Sequence, residues 1–308
     1  MPNPLLMAAA RSPRARRLIT AVPVTRKVVD RFVAGEGPEQ ALEATERLLD
    51  DGLLVTLDLL GEDTRSTEQA RGVRDAYVAL LEQLGARSVA DRAEVSVKLS
   101  AIGQLLPGDG EQVALVHARD ICGAAEKAGT TVTVDMEDHT TVDSTLRVVR
   151  ALRVDFPWVG AVVQSCLLRT EQDCRDLAHE GSRVRLVKGA YDEPASVAHR
   201  EKAQVDLAYV RCLQILMAGA GYPMVATHDP ALVERADELA QEHGRDRSSY
   251  EFQMLYGIRV PEHWRLAASG RRMRVYVAYG DDWYGYFMRR LAERPANVAF
   301  FLRSLVSK

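Results

Sequence analysis

Long apolar runs are missing from this chain. No stretch reaches the roughly 18 consecutive apolar residues that a helix needs to cross a bilayer. The start also lacks the charged region, apolar core and cleavage site of a secretory leader. The expectation is therefore a cytoplasmic protein. Cysteine is scarce and scattered: Cys122, Cys166, Cys174 and Cys212 show no CxxC spacing and no run of neighbouring histidines. That pattern excludes a sequence-legible metal site and fits reduced thiols, so no metal is expected. An excess of basic charge is absent too, since the formal net charge is -3, which argues against a dedicated nucleic-acid binder. Also absent is a GxGxxG turn after the first apolar run, the expected mark of an open doubly wound sheet that binds a dinucleotide.

What is present is an ordinary globular composition, 308 residues with 47% hydrophobic and 27% charged, enough for one large domain or two. Between residues 53 and 279, eight short apolar or alternating runs recur: "LLVTLDLL" from Leu53, "EVSVKLSAI" from Glu94, "TVTVDMED" from Thr131, "GAVVQSCL" from Gly160, "RVRLVKGAY" from Arg183, "YPMVATHD" from Tyr222, "YEFQMLYG" from Tyr250 and "MRVYVAYG" from Met273. The segments between them, such as 66–84, 111–128 and 193–219, are rich in Ala, Leu, Glu and Arg and long enough to be crossover helices between parallel strands. Eight such units in about 250 residues predict an α/β fold, a (β/α)8 TIM barrel.

A barrel of this kind places its functional groups at the C-terminal ends of the strands. Those ends offer Glu62, Lys98, Asp135 with Glu137, Gln164, Lys188 with Tyr191, Thr227 with His228, Gln253, and Tyr276 with Tyr279. After the eighth run, "DDWYGYFMRRLAERPAN" sets Arg289 and Arg290 side by side, Tyr286 three residues before Arg289 and Glu293 four after it. Two guanidiniums at one cavity suit a small carboxylate or phosphate; an exposed helix face exchanging i,i+4 ion pairs is the competing account. Lys98 and Lys188 admit two roles, a Schiff-base amine or a fixed positive charge beside an anionic cofactor, and residue chemistry alone does not separate them. The N-terminus carries Arg11, Arg14, Arg16, Arg17, Arg26, Lys27 and Arg31 against one acid, Asp30, before Glu36. Two readings stay open for it: a helical cap with solvated arginines, or a segment that lies on an anionic membrane or protein surface.

The strings "LDLLGE", "VSVKLSAIG", "VDMED", "RLVKGAY", "ATHD", "EFQMLYGI", "RVYVAYG" and "YFMRRLAERPAN" resemble, in order from about residue 54 onward, the successive motifs of proline dehydrogenases. The likeness is greatest to the short monofunctional bacterial form. It implies a distorted barrel spanning 51–308 with an N-terminal helical segment over 1–50 and the eighth helix lying over the active-site face. It implies non-covalent FAD, oxidation of L-proline to 1-pyrroline-5-carboxylate, and a quinone as electron acceptor, for which the basic N-terminus could dock on the inner face of the cell membrane. Carried over by motif, Arg289 and Arg290 clamp the proline carboxylate, Tyr276 and Tyr286 pack on the ring with Leu255 as an apolar wall, and Glu293 supports an arginine. Lys98 and Asp135 line the floor, and Glu62 is a rim gate able to pair with Arg289. Gln164, Arg185, Lys188, Ala190 and Tyr191 are assigned to FAD, with Thr227 and His228 at its far end. Asp229 stands where some members carry Asn, and the Trp that often follows "GAY" is replaced by Asp192.

Overall fold

In the computed structural model of the chain, residues 29–62 and 64–293 are described, the last three by their backbone alone. The N-terminal basic residues up to Lys27 and the Glu293 side chain lie outside the described residues. Helix α1 (Pro38–Asp50) leads into β1 (Leu54–Leu59), and seven further units follow: α2 (Thr67–Ala86) and β2 (Ala93–Val97), α3 (Gly110–Ala128) and β3 (Val132–Val134), α4 (Val142–Asp155) and β4 (Gly160–Gln164), α5 (Thr170–Leu177) and β5 (Arg183–Val187), α6 (Lys202–Ala218) and β6 (Tyr222–Ala226), α7 (Pro230–Glu242) and β7 (Glu251–Leu255), α8 (Val260–Ala268) and β8 (Met273–Tyr279). The helix α9 (Trp283–Glu293) is the last among the described residues. The eight strands are parallel and close on themselves, β1 pairing β8 from Leu54 opposite Arg274 to Leu59 opposite Tyr279. The eight runs expected from the sequence are the eight strands of this (β/α)8 barrel.

Local chemistry sets the boundaries. Ser66 caps α2 by accepting from the Gln69 amide at 3.2 Å, and Asp229 caps α7 by accepting from Ala231, with Pro230 preformed for the first turn. The segment 193–219 is shorter as a helix than its composition suggests, because α6 starts only at Lys202. The chain from Lys188 to Glu201 instead forms a loop on the active-site face. Its turn begins at Gly189, where φ is +109° and a Cβ would stand 2.3 Å from the Cys166 sulfur, so only glycine fits.

The period-2 alternation of a strand puts successive side chains on opposite faces, and here the two faces differ sharply. Val55, Leu57, Val95, Val97, Val132, Val134, Val184, Leu186, Phe252, Met254, Val275 and Val277 form the main apolar core with the surrounding helices. The alternate positions turn inward and are polar: Thr56 and Asp58, Glu94 and Ser96, Thr133, Arg183 and Arg185, Glu251 and Gln253, Arg274 and Tyr276. Arg183 on β5 reaches Glu94 on β2 at 2.7 Å, a contact between non-adjacent strands that can only cross the interior. A barrel interior is usually filled by branched apolar side chains; in this one hydrogen-bonded charge from β1, β2, β5, β7 and β8 takes much of that space, with Met224 of β6 packed among it.

Candidate active site

Charge is stacked through the barrel from floor to mouth. At the floor, Glu94 accepts from Thr56 Oγ1 at 2.9 Å, Thr131 Oγ1 at 2.7 Å and Arg183, while Arg274 donates to Glu251 at 2.6 Å. Burial alone would raise the Glu94 carboxyl, but the charges of Arg183, Arg274 and Arg185 outweigh it and hold the group well below the usual carboxylate range. One layer up, Arg185 donates through Nε to Gln253 at 2.6 Å and through Nη1 to Ser96 at 2.9 Å and Asp135 at 2.7 Å. Its guanidinium also lies 5.3 Å from the centre of the Tyr276 ring. Asp135 completes the layer, accepting from Ser96 at 2.8 Å and from the Tyr276 hydroxyl at 2.7 Å.

Lys98 sits at the same height. Both oxygens of Asp58 accept from it, at 2.7 and 2.8 Å, and Asp135 lies 3.8 Å away. Burial would lower this ammonium, yet Asp58 and Asp135 reverse the effect and raise it above its ordinary value. A lysine that must attack a carbonyl has to be neutral, so this environment disfavours the Schiff-base role for Lys98. Lys188 is ion-paired, at 2.6 Å from Asp206 and 3.1 Å from Asp229. The carboxylate at Asp229 thus gives Lys188 an ionic partner that an asparagine could not.

At the mouth, Arg289 from α9 donates to Glu62, just beyond β1, at 2.9 Å. Glu62, Arg289, Asp135 and Glu137 are all near enough to act electrostatically on the Tyr191 hydroxyl, which burial and the carboxylates push upward. Tyr191 therefore belongs to the mouth. Arg290 diverges from Arg289 as adjacent helix positions must; it is buried, with its guanidinium 5.1 Å from the Tyr286 ring centre. Leu255 packs on the apolar cluster under α9, and its amide donates to Nε2 of His228 at 2.9 Å. Gln164 ends β4 and donates to the Glu137 carbonyl at 2.7 Å, while the Thr227 hydroxyl accepts from the Asp229 amide at 3.1 Å. Ala190 is exposed on the loop after β5.

These placements gather Lys98, Asp135, Arg185, Tyr276, Glu62, Tyr191 and Arg289 on one face of the barrel, with Gln164, Lys188, Thr227 and His228 along the β4–β6 side of the rim. A profile of the family described as proline dehydrogenase matches residues 41–303. The chain belongs to the proline dehydrogenase family. Proline dehydrogenase 1 of Bacillus subtilis (strain 168) is 40% identical over 284 residues, 92% of each chain, and the proline dehydrogenase of Deinococcus radiodurans is 42% identical over 281 residues, 91% of this chain and 90% of that one. Among solved structures, proline utilization A (PutA) from Bdellovibrio bacteriovorus, inactivated by N-propargylglycine, superposes with a TM-score of 0.80 over 87% of this chain at 24% identity. PutA from Bradyrhizobium japonicum superposes with a TM-score of 0.74 over 94% at 25% identity. This chain spans 33% of the length of each of those PutA chains.

Several proline dehydrogenase residues at this face escape a reading based on strand ends and motifs. Asp58 is the main partner of Lys98, Ser96 ties Arg185 to Asp135, and Glu94, Arg183, Glu251 and Arg274 form the floor. The signal was available: "TLDL", "EVSVK", "RVRLVK", "EFQML" and "RVYVAY" each alternate polar with apolar residues, and the polar phase belongs to the interior. Glu137, which the strand-end reading did offer, carries no role in the motif assignment. It is buried, accepts from the Ser100 amide at 3.0 Å and hydroxyl at 2.5 Å, and burial nevertheless pushes its carboxyl up to about 7. Among the described residues no cluster of His, Cys, Asp and Glu is arranged to hold a metal, and no helix is long and apolar enough to cross a membrane.

Proposed function

We propose that this chain oxidises L-proline to 1-pyrroline-5-carboxylate with non-covalently bound FAD, and that a quinone takes the electrons onward. The observation that carries this reading is Arg289, an arginine on α9 held over the mouth by Glu62, above a layer of Lys98, Asp135, Arg185 and Tyr276 in which Asp58 pairs Lys98 and Asp135 pairs Arg185. The residues fit a flavin in the chemistry of their donors. Arg185 supplies a buried cation next to the rim, with its Nη2 turned to the floor 3.5 Å from Glu94 Oε1. Gln164, Lys188, Thr227 and His228 supply donors along the adjacent rim, with Ala190 and Tyr191 on the loop between them. FAD held by these residues would supply the two-electron oxidation at proline C5.

The chain's own part is binding and orientation. Arg289 and Arg290 meet the substrate carboxylate with charge-assisted hydrogen bonds. Tyr276 and Tyr286, with Leu255 as the apolar wall, hold the ring, and Glu62 closes the rim against water through Arg289. Lys98 is neutralised by Asp58, so it shapes the floor and balances Asp135 without being a nucleophile. The amine must also lose a proton for the imine to form. The basic segment 1–28 is assigned to docking on an anionic membrane, where a quinone is dissolved.

The purified protein should be yellow, with the two visible bands of oxidised flavin bleaching when proline is added without oxygen. A colourless protein, or one that borohydride traps on Lys98 or Lys188 with a carbonyl substrate, would refute the flavin reading in favour of a Schiff-base lyase.

A further inference from the structure

The helix that carries the two arginines does not rest on the main core. Its buried side chains Tyr284, Tyr286, Phe287 and Met288 form a separate apolar cluster with Leu60, Ile258 and Ala278, and the other members, Val29, Phe32 and Val33, come from the segment ahead of α1. The Phe32 and Phe287 rings are almost wholly buried and lie 6.3 Å apart, tilted by 48°, and Trp283 meets Phe287 from the side at 6.1 Å.

The segment that presents Phe32 is itself pinned to the barrel. Val33 bridges Ala278 in parallel, the Ala34 amide donates to the Ala278 carbonyl at 2.9 Å, and the Gly280 amide donates to the Gly35 carbonyl at 3.0 Å. Arg31 donates through Nε to the Gly257 carbonyl at 3.4 Å. At Gly257, where φ is +71°, a Cβ would stand 1.7 Å from the Arg31 carbonyl oxygen, so the backbone there has been cleared of a side chain to let this segment pass. The segment is therefore fixed by backbone bonds to β8, the strand that leads directly into α9.

Helix geometry makes the contact directional. Arg289 follows Phe287 by two positions and so points about 200° away from it round the helix axis. Phe32 pressing on Phe287 from one side holds Arg289 toward Glu62 and the mouth on the other. Resting on the carboxylate-clamp reading given above, we propose that Phe32 is a positioning residue for proline binding: the segment 29–35 is a strut that sets the height and rotation of the arginine helix over the active site. Interiors do not deform continuously, and a displacement near 1 Å at a binding group is enough to cost about a hundredfold in an oriented reaction.

The test is a kinetic and hydrogen-exchange comparison on the flavin-loaded full chain. Phe32→Ala should raise the KM for proline about tenfold with kcat changed less than about threefold and flavin content unaltered, and should speed amide exchange over 283–293 while the barrel strands stay protected. Phe32→Leu should recover most of both. In an Arg289→Met background, Phe32→Ala should add less than about threefold, because a missing guanidinium cannot be misplaced. Leu213→Ala, a large-to-small truncation in the main core on α6, should lower thermal stability without the selective rise in KM. Unchanged exchange over 283–293 in Phe32→Ala, full additivity with Arg289→Met, or an equal KM effect from Leu213→Ala would each overturn the strut. If Phe32→Ala fails to fold, Phe32→Leu and Phe32→Val replace it, and a graded series with no graded KM counts against the proposal. If Arg289→Met itself leaves the KM unchanged, the clamp has failed, and the exchange measurement alone then decides whether Phe32 braces α9.

Discussion

Removing the carboxylate of Glu62 is the most informative single perturbation of the mouth. Its Oε1 lies 2.9 Å from Arg289 Nη2, and the two side chains are 26% and 27% exposed. At an effective dielectric near 20 the gross attraction at that distance is about 6 kcal/mol. Desolvation and the ordering of two long side chains offset most of it, and partial exposure adds screening. The net coupling expected is therefore about 1–2 kcal/mol, above the usual range for exposed pairs and below that of buried ones. Glu62→Ala should lower kcat/KM for proline about five- to thirtyfold, with flavin content and thermal midpoint near those of the parent. Arg289→Met should cost more, about ten- to a hundredfold, since it removes a charge-assisted contact to the substrate as well. The double variant should resemble Arg289→Met alone. The assay is steady-state turnover with a soluble dye acceptor, repeated at low and high salt, because screening should shrink the Glu62 effect. Additivity of the two substitutions to within about 0.5 kcal/mol would refute the pairing, even if each alone impaired the enzyme.

Three further outcomes follow from the same geometry. Asp58→Asn leaves Lys98 with Asp135 at 3.8 Å as its nearest carboxylate and should destabilise the fold by about 3–5 kcal/mol in denaturant melts; a loss under about 1 kcal/mol would show that Asp58 is not what neutralises Lys98. Glu137 has a carboxyl raised from 4.5 to about 7 by burial, so its contribution to stability is full below about pH 4.5 and is lost as pH rises through about 7, on the order of 3 kcal/mol; Glu137→Gln should flatten that fall, and an unaltered pH–stability curve would contradict the assignment. Deleting residues 1–17 should weaken binding to anionic vesicles, at about 1 kcal/mol per basic side chain near the surface, without changing turnover with a soluble acceptor; equal vesicle binding would return the segment to a solvated cap.

The eight parallel strands were legible in the sequence because each is a run of alternating or β-branched residues separated by helix-forming stretches, and that signal is local. The ordered motifs likewise marked the family, which the match over 41–303 bears out. Helix boundaries were less legible: the onset of α6 at Lys202 depends on a loop that turns at Gly189 against Cys166, a contact between two loops on the same face. What only the tertiary structure decided is which polar residues meet. Alternation assigns Arg183, Glu94, Arg274 and Glu251 to one face of their strands, but closure of the barrel is what brings β2 opposite β5 and lets the four charges satisfy one another away from water. The pairing of Lys98 with Asp58, 40 positions apart, comes instead from the parallel pairing of β1 with β2, which sets Asp58 opposite Ser96. The contact of Phe32 with Phe287 does depend on closure: nothing in either local sequence relates the chain's early residues to its last described helix, and the physical link is a small second core that exists only once β8 has closed on β1.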